Sequence, residues 1–332
     1  MLKLCSMTSS VSHRLNTIQP VESSESELEF DIPISLAGKR IDVAVAACYP
    51  ALSRTYAGHL FRDGAILING KQAKPSAKAR GGERVSIELP EPEIIEARPE
   101  NIPLRILFED RDIVVVNKPA GMVSHPSAGH GSGSLVNALL YHCTDLSTIN
   151  GSLRPGIVHR LDMDTSGAIV SAKNDTAHRS LADQFANRTV KKEYLALCRG
   201  NPPRDIFFCD GRIGRHPARR TEMTILKGAD DGRDAYTDFQ VLERFAGDLF
   251  FVRAMPRTGR THQIRVHLAK SGYPILSDGL YGKEAALPEL GLIRHALHAA
   301  KLSFDHPATG VRTSIEAPLA DDMAGALAKL RG

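Results

Sequence analysis

In GIVHRLDMDTSG, Gly156 to Gly167, an apolar run delivers a His, an Arg and an Asp in quick succession and then breaks at Thr-Ser-Gly. Asp162 stands at that break, with Arg160 before it and Asp164, Thr165 and Ser166 after it. A lone carboxylate there is an ordinary turn-former or helix cap. In NRTVKKEYLAL, Lys192 and Tyr194 lead into an apolar strand, where a tyrosine by itself reads as core. In TGRTHQIRVHLAKSG, Arg260, His262, Arg265 and His267 interleave with Ile264, Val266 and Leu268. A solvated helix has no reason to thread two Arg and two His so tightly between apolar positions, and a buried guanidinium needs a carboxylate or phosphate partner. One carboxylate, arginines to keep it ionised and a nearby tyrosine supply a nucleophile, its ion-pair partner and an aromatic platform.

Other site chemistries find no support. GHGSGS, Gly129 to Ser134, lacks the lysine of a phosphate loop and the strand-turn-helix setting of a dinucleotide fold. There is no HExxH, and His262 and His267, five apart, fall on divergent sides of a helix. No GxSxG elbow occurs. Five scattered cysteines form no CxxC pair, so neither a disulfide framework nor a zinc knuckle is expected, and a reducing cytoplasm is the default. The simplest inference is a protein with no cofactor and no metal. No run approaches the ~20 apolar residues that span a bilayer, and the N-terminus lacks the apolar core of a secretory signal. A hydrophobic content of 42% supports a packed core, and the net charge of +4 is a mild lean towards polyanions.

Around these residues the chain divides unevenly. Residues 1–30, rich in Ser and Glu, read as a mobile tail. From there to residue 92 the spacing predicts a small unit. GKRIDVAVAACYP is a helix stopped at Pro50, Ser53 caps a second helix over Arg54–Arg62, and AILING turns at Asn69-Gly70 into a hairpin. Nine Lys/Arg against four Asp/Glu between Gly38 and Pro90 give that stretch a net +5, the concentration that phosphate binding needs. Residues 93–103 are an acidic, proline-rich linker. Residues 104–332 hold strand-like runs (DIVVVNKP, GIVHRL, AIVSAK, EYLALCRG, AYTDFQVLERF, LFFVRAMP, HALHAAKLSF) and few helices. That ratio implies an α+β domain on a mixed, largely antiparallel sheet.

GIVHRLDMDTSG, KKEYLAL, TGRTHQIRVHLAKSGYPILSDGLYG and ALHAAKLSFDHPATG, in that order, resemble the RluA/RluD-type pseudouridine synthases. NKPAGMVSHPSAGHGSGSLVNALL and GRIGRHPARRTEM are most similar to the ribosomal large subunit synthase D branch. The resemblance runs from about Leu104 to Asp322. It implies the pseudouridine synthase fold for residues 104–332, and residues 31–92 resemble the S-four (αL) type RNA-binding domain that such enzymes often carry. It further implies that Asp162 is the catalytic carboxylate, and that Arg160 enters the gap left by the flipped base. Tyr194 stacks on that base and helps remove a proton at carbon five, and Arg265 pairs with Asp162. Met163 and Ala168 depart from the family's usual residues, and neither is a proposed catalytic position. The expected partner is RNA, large-subunit ribosomal RNA or its assembly intermediate, with Arg160, Arg54, Arg62, Lys71, Arg260 and His262 as RNA-binding residues. The protein is expected to be a monomer without membrane contact. A transfer RNA synthase of the same family is the alternative. A non-catalytic RNA-binding assembly factor would require loss of Asp162, Tyr194 or Arg265, and all three are present.

Overall fold

The computed structural model describes residues 27–49, 52, 54–88, 97–126, 131–143, 146–147, 155–219, 221–226, 232–282 and 287–332. The chain forms two units, Met1–Ile94 and Ile95–Gly332.

In the first unit, strands β1 (Glu27–Asp31), β2 (Ile66–Ile68), β3 (Lys71–Gln72) and β4 (Arg84–Glu88) form an antiparallel sheet in the order β1-β4-β2-β3. Helices α1 (Ile41–Cys48) and α2 (Arg54–Asp63) share its core. Ile41, Ala44 and Val45 recur at helical spacing and pack with Leu60 and Phe61 and with the inward residues Ile66, Val85 and Ile87. Asn69 and Gly70 both take positive φ, 50° and 72°, as a two-residue hairpin of the primed type requires. The unit begins earlier than composition suggests. Strand β1 lies inside the stretch expected as tail, because Leu28 and Phe30 alternate inward to the core between acidic neighbours. Counting from Glu27 sets seven Asp/Glu against the nine Lys/Arg up to Glu88, so the net charge is +2 and not +5. Residues 1–26, Pro50, Ser53 and positions 93–96 of the expected linker lie outside the described residues.

In the second unit, β5 (Ile106–Glu109), β6 (Ile113–Lys118), β7 (Ser166–Ala172), β8 (Lys191–Arg199), β9 (Ile206–Arg215), β10 (Met223–Leu226), β11 (Arg233–Phe245), β12 (Leu249–Pro256), β13 (Leu297–Asp305) and β14 (Arg312–Glu316) make one mixed sheet. The order is β10-β9-β11-β12-β8-β13-β7-β6-β5, with β14 on β13. Only β7 and β13 run parallel; the rest pair antiparallel. The unit is the α+β, largely antiparallel domain expected. Helices α3 (Leu135–His142), α4 (Asp175–Ala186), α5 (Gln263–Lys270) and α6 (Asp321–Arg331) complete it. No helix among the described residues is long and apolar enough to cross a membrane.

Two features differ from the sequence reading and shape the site. GIVHRL is not a strand: Ile157 makes a single bridge to Ser171, and the chain then leaves the sheet. Beyond that bridge His159 Nε2, and not a backbone carbonyl, accepts from the Val170 N–H at 3.1 Å. The second, which no sequence pattern announced, is the close parallel pairing of β7 with β13 at Gly167. Its φ is 118°, and a Cβ there would stand 2.2 Å from the Ala299 carbonyl oxygen, so only glycine lets the strands approach directly after the Asp162 loop.

Candidate active site

Several segments of the second unit converge on a cavity of about 390 Å³, among them the end of α4 and the turn after it, which bring Phe185 and Arg188. The loop before β7 brings Asp162, β8 brings Lys192 and Tyr194, and the turn after β12 with α5 brings Arg257, Arg260, His262 and Arg265. Asp162 is the only carboxylate among the described lining residues, whereas Arg160, Arg188, Lys192, Arg257, Arg260 and Arg265 all line the wall. A lone carboxylate surrounded by cations is a site that attracts phosphate.

The loop that carries Asp162 is fixed on both flanks. Ser124 Oγ donates to the Leu161 carbonyl at 3.0 Å and accepts from the Leu161 N–H at 3.2 Å. The buried Lys118 ammonium donates to three carbonyls, Pro119, Met122 and Met163, at 2.8, 2.8 and 2.9 Å. Burial lowers this amine to about 7, with Asp164 acting the other way. Arg294 donates to the Asp164 carbonyl at 2.9 Å, Thr165 N–H donates to the Asp162 carbonyl at 3.1 Å, and Thr165 Oγ1 meets His295 Nε2 at 2.9 Å. His295 is neutral there, lowered to about 3 by burial and then by Arg265. A carboxylate held this way keeps its position without reorganisation.

Arg265 reaches Asp162 with one nitrogen, Nη1 to Oδ2 at 3.3 Å. Its fork goes elsewhere. Nε and Nη2 donate to Oδ2 and Oδ1 of Asp278 at 2.8 and 2.9 Å. Asp278 is 1% exposed and also accepts the N–H groups of Leu280 and Tyr281 at 3.1 and 3.2 Å. Burial opposes its charge, but the Arg265 guanidinium holds this carboxyl below the usual range. Asp278 is therefore the bidentate anchor, and Asp162 receives the free corner of an already oriented cation. The Tyr281 ring lies 5.0 Å under the same guanidinium, and its hydroxyl meets His262 Nδ1 at 2.7 Å. His262 caps α5 in the left-handed region, φ 56°, and its Nε2 lies 3.9 Å from Asp162. Burial pushes this imidazole below its ordinary value despite Asp162, so it sits in the wall as a neutral group and not as a cation for phosphate.

Tyr194 lies in the wall on β8, paired with Ala254 and Ala299 on its two sides. Burial, and then the charge of Asp162, pushes its hydroxyl well above the usual range, so it is a neutral phenol. Lys192, two residues before it, donates to the Thr258 carbonyl at 3.1 Å. Burial, then Arg260 and Arg188, lowers this amine to about 8. Its cavity charge is present at pH 7 and lost as pH rises through 8. Affinity for RNA is expected to fall over that interval in the wild type, and a titration of Lys192→Met is expected to lack the step. The same depression means that the unfolded chain holds a proton the native one has released between about 8 and 10.5, so this group's contribution to stability rises with pH there. His159, beside Arg160, stacks on Phe185 at 4.5 Å and is lowered to about 3 by burial, then Lys192; it is a structural group.

Of the expected site residues, Asp162, Tyr194, Arg265, Arg160, Arg260 and His262 share the cavity. Arg160 is exposed at its lip. Arg260 Nε donates to the Asp234 carbonyl at 3.1 Å. Arg54, Arg62 and Lys71 belong to the first unit, all exposed, and Arg54 together with Arg40 is engaged by Asp42. Sequence reasoning missed Asp278 and Tyr281; the signal available was an Asp and a Tyr within the otherwise apolar PILSDGLYG. Glu109, His142 and Cys143 place three donor atoms within 4.8 Å of one another, but Glu109 is already engaged by His142 at 2.8 Å and Lys173 at 3.1 Å, and none of the three lines the cavity.

Residues 112–270 match the family model described as RNA pseudouridylate synthase. The chain is 46% identical to the uncharacterized RNA pseudouridine synthase YlyB of Bacillus subtilis, over 88% of this chain and 94% of that protein. It is 40% identical to the ribosomal large subunit pseudouridine synthase D of Neisseria meningitidis serogroup A, over 93% of this chain and 83% of that one. Among solved structures it is similar to the human RNA pseudouridylate synthase domain containing 1, with a TM-score of 0.52 and 29% identity over 73% of this chain and 98% of that one.

Proposed function

The chain belongs to the RNA pseudouridylate synthase family, and from that premise we propose that it isomerises uridines of large-subunit ribosomal RNA in the cavity around Asp162, with this carboxylate as the nucleophile. The observation that carries the reading is the electrostatic arrangement. A single carboxylate, presented on a loop tied down on both flanks, meets the free nitrogen of a guanidinium that Asp278 has already oriented. An ionised carboxylate can bond to the nucleotide and then release it, leaving enzyme and atom count unchanged, which is what isomerisation without a cofactor requires. The glycosidic C–N bond breaks, the uracil turns, and the base rejoins the sugar through carbon.

Each remaining residue has a part in that sequence. A base within folded RNA must leave its stack at a cost of a few kcal/mol. Arg160 at the lip takes the vacated gap, and the Tyr194 ring receives the extruded base. While Asp162 is anionic, Tyr194 stays a phenol. Once the carboxylate's charge is consumed in a covalent bond, one of the two causes that disfavour the phenolate is removed. At that later stage Tyr194 helps to remove the proton at carbon five, and the freed N1 of the rotated uracil takes up one proton, so the product is an isomer of the substrate. The first unit, with Arg62 and Lys71 exposed, serves as an S-four-like RNA-binding arm, and its net +2 makes it a modest one.

The substrate assignment rests on the likeness to synthase D across nearly the whole chain. It is tested by incubating the protein with unmodified large-subunit ribosomal RNA and with unmodified transfer RNA, then mapping pseudouridine in both. Product in the ribosomal RNA alone is expected; product in transfer RNA alone overturns the assignment. The arm is tested by salt. Replacing Arg62 and Lys71 by Gln is expected to make the slope of log affinity against log salt shallower by about 1.4 to 1.8, since each phosphate contact contributes roughly 0.7 to 0.9. An unchanged slope means that these residues are a solvated face.

A further inference from the structure

Outside the cavity, one exposed face of the sheet carries three planar groups in a column. Antiparallel register sets Asp238 opposite Phe208 and Tyr236 opposite Asp210, so Phe208 and Tyr236 are diagonal neighbours on one face of β9 and β11. Their rings stack at 5.5 Å between centroids and 8° between planes. The Arg257 guanidinium lies over the Tyr236 ring at 4.3 Å. It is held flat by Asp238, with Nε to Oδ2 at 2.8 Å and Nη2 to Oδ1 at 3.3 Å. The backbone fixes the same pair: Arg257 N–H donates to the Tyr236 carbonyl at 3.0 Å, and Tyr236 N–H donates to Thr258 Oγ1 at 3.1 Å.

The fold does not need this column. Phe208 is 59% exposed and the Arg257 side chain 64%, so neither is a core residue. A single exposed apolar ring is unremarkable. A ring stacked on a ring stacked on a guanidinium is different, because its order costs side-chain entropy and it presents open π-faces at the surface. Its position decides what it suits. Arg257 is at once the end of the column and part of the cavity wall, continuous with Arg260 and Arg188. Asp238, the carboxylate beside the column, is matched by Arg257, and Asp234 has Arg212 at 3.9 Å, whereas Asp210, opposite Tyr236 on the same face, adds an exposed carboxylate, so a phosphate backbone is favoured at the Arg257 end of the column. Aromatic rings interleaved with arginine along a strand face are the chemistry that unpaired bases recognise, since every base offers a π-face.

We propose that Phe208, Tyr236 and Arg257 form a stacking platform for the unpaired nucleotides that flank the target uridine. The proposal rests on the reading that this uridine enters the Asp162 cavity, from which the flanking strand is led out over Arg257. The platform adds affinity and selects substrates whose target lies within an unpaired segment, while the chemistry stays in the cavity.

The test uses the full-length protein and two RNAs that differ only beside the target: one with ordinary bases there, the other with abasic nucleotides that keep the phosphates. The wild type is expected to bind the first more tightly. Phe208→Ser is expected to weaken binding of that RNA roughly tenfold, to leave the abasic RNA unaffected, and to leave turnover at saturating RNA unchanged. Phe208→Tyr is expected to bind like the wild type. Phe208→Leu, which keeps apolar area without a plane and guards against a fold defect in the Ser variant, is expected to behave as Ser does. No loss, or the same loss on both RNAs, overturns the platform. So does wild-type behaviour of Phe208→Leu. If Phe208→Ser instead abolishes self-association in sedimentation with both RNA affinities unchanged, the face docks protein and the proposal is wrong. Turnover of Asp162→Asn is scored separately on both RNAs, so a failed platform and a failed cavity give different patterns.

Discussion

Asp162→Asn is expected to lower pseudouridine formation by roughly 10³-fold or more, because an amide keeps the shape of the carboxylate and cannot act as an anionic nucleophile. The fold is expected to survive. The Asp162 side chain is 20% exposed, its link to Arg265 is one contact of 3.3 Å, and the loop's other ties run through backbone groups that the substitution leaves in place. Affinity for RNA is expected to be unchanged or tighter, since the variant removes the only carboxylate among the described residues of a cationic wall. Single-turnover assays with melting and binding curves on the same preparations separate these effects. Product formation within a factor of about ten of wild type would contradict the role given to Asp162.

Replacing the guanidinium that faces Asp162 is expected to cost nearly as much. Arg265→Lys replaces a guanidinium that serves two carboxylates by a point charge that cannot fork to Asp278 and still reach Asp162. Turnover is expected to fall by about 10² or more, near the loss seen when a preorganised charge is withdrawn from a site. Asp278→Asn leaves the buried guanidinium without its charged partner, and breaking such a pair costs about 3–5 kcal/mol of stability. It also removes a pH dependence. The folded Asp278 titrates below its ordinary value, so its contribution is present above the carboxylate range and is lost as pH falls through the folded value. The acid limb of the wild-type melting profile is therefore expected to be steeper than that of Asp278→Asn. Near-normal turnover of Arg265→Lys would make Arg265 an ordinary structural cation, and a parallel acid limb would place Asp278 outside this linkage.

The residues that share the cavity were legible where the clue was local. Asp162 stands at a break in an apolar run, and Arg265 repeats between apolar positions of one short helix; both patterns fit within a dozen residues. The contact of Arg265 with Asp162 was implied by the family resemblance, but its forked pairing with Asp278 was not legible. Its stronger partner lies thirteen residues on, in a turn whose approach to α5 is set by tertiary packing, and the pattern says only that a carboxylate is needed. GIVHRL looked like a strand because side-chain type alone does not reveal that His159 will take over a backbone hydrogen bond. Strand β1 was hidden by Glu27, Glu29 and Asp31, whose polarity masks the inward alternation of Leu28 and Phe30. Strand β9 was hidden by Gly211 and Gly214, which weaken any strand signal. The Phe208–Tyr236–Arg257 column depends on the register between β9 and β11, a long-range property that no local window contains.

The most direct measurement is a map of pseudouridine across all cellular RNA in three strains of the source organism: one lacking this protein, one complemented with the wild type and one with Asp162→Asn. Loss of particular sites in large-subunit ribosomal RNA on deletion is expected, with restoration by the wild type and none by Asp162→Asn. Restoration of those sites by Asp162→Asn, or a ribosomal RNA map unchanged by deletion, would contradict the assignment of this cavity and its carboxylate to the isomerisation.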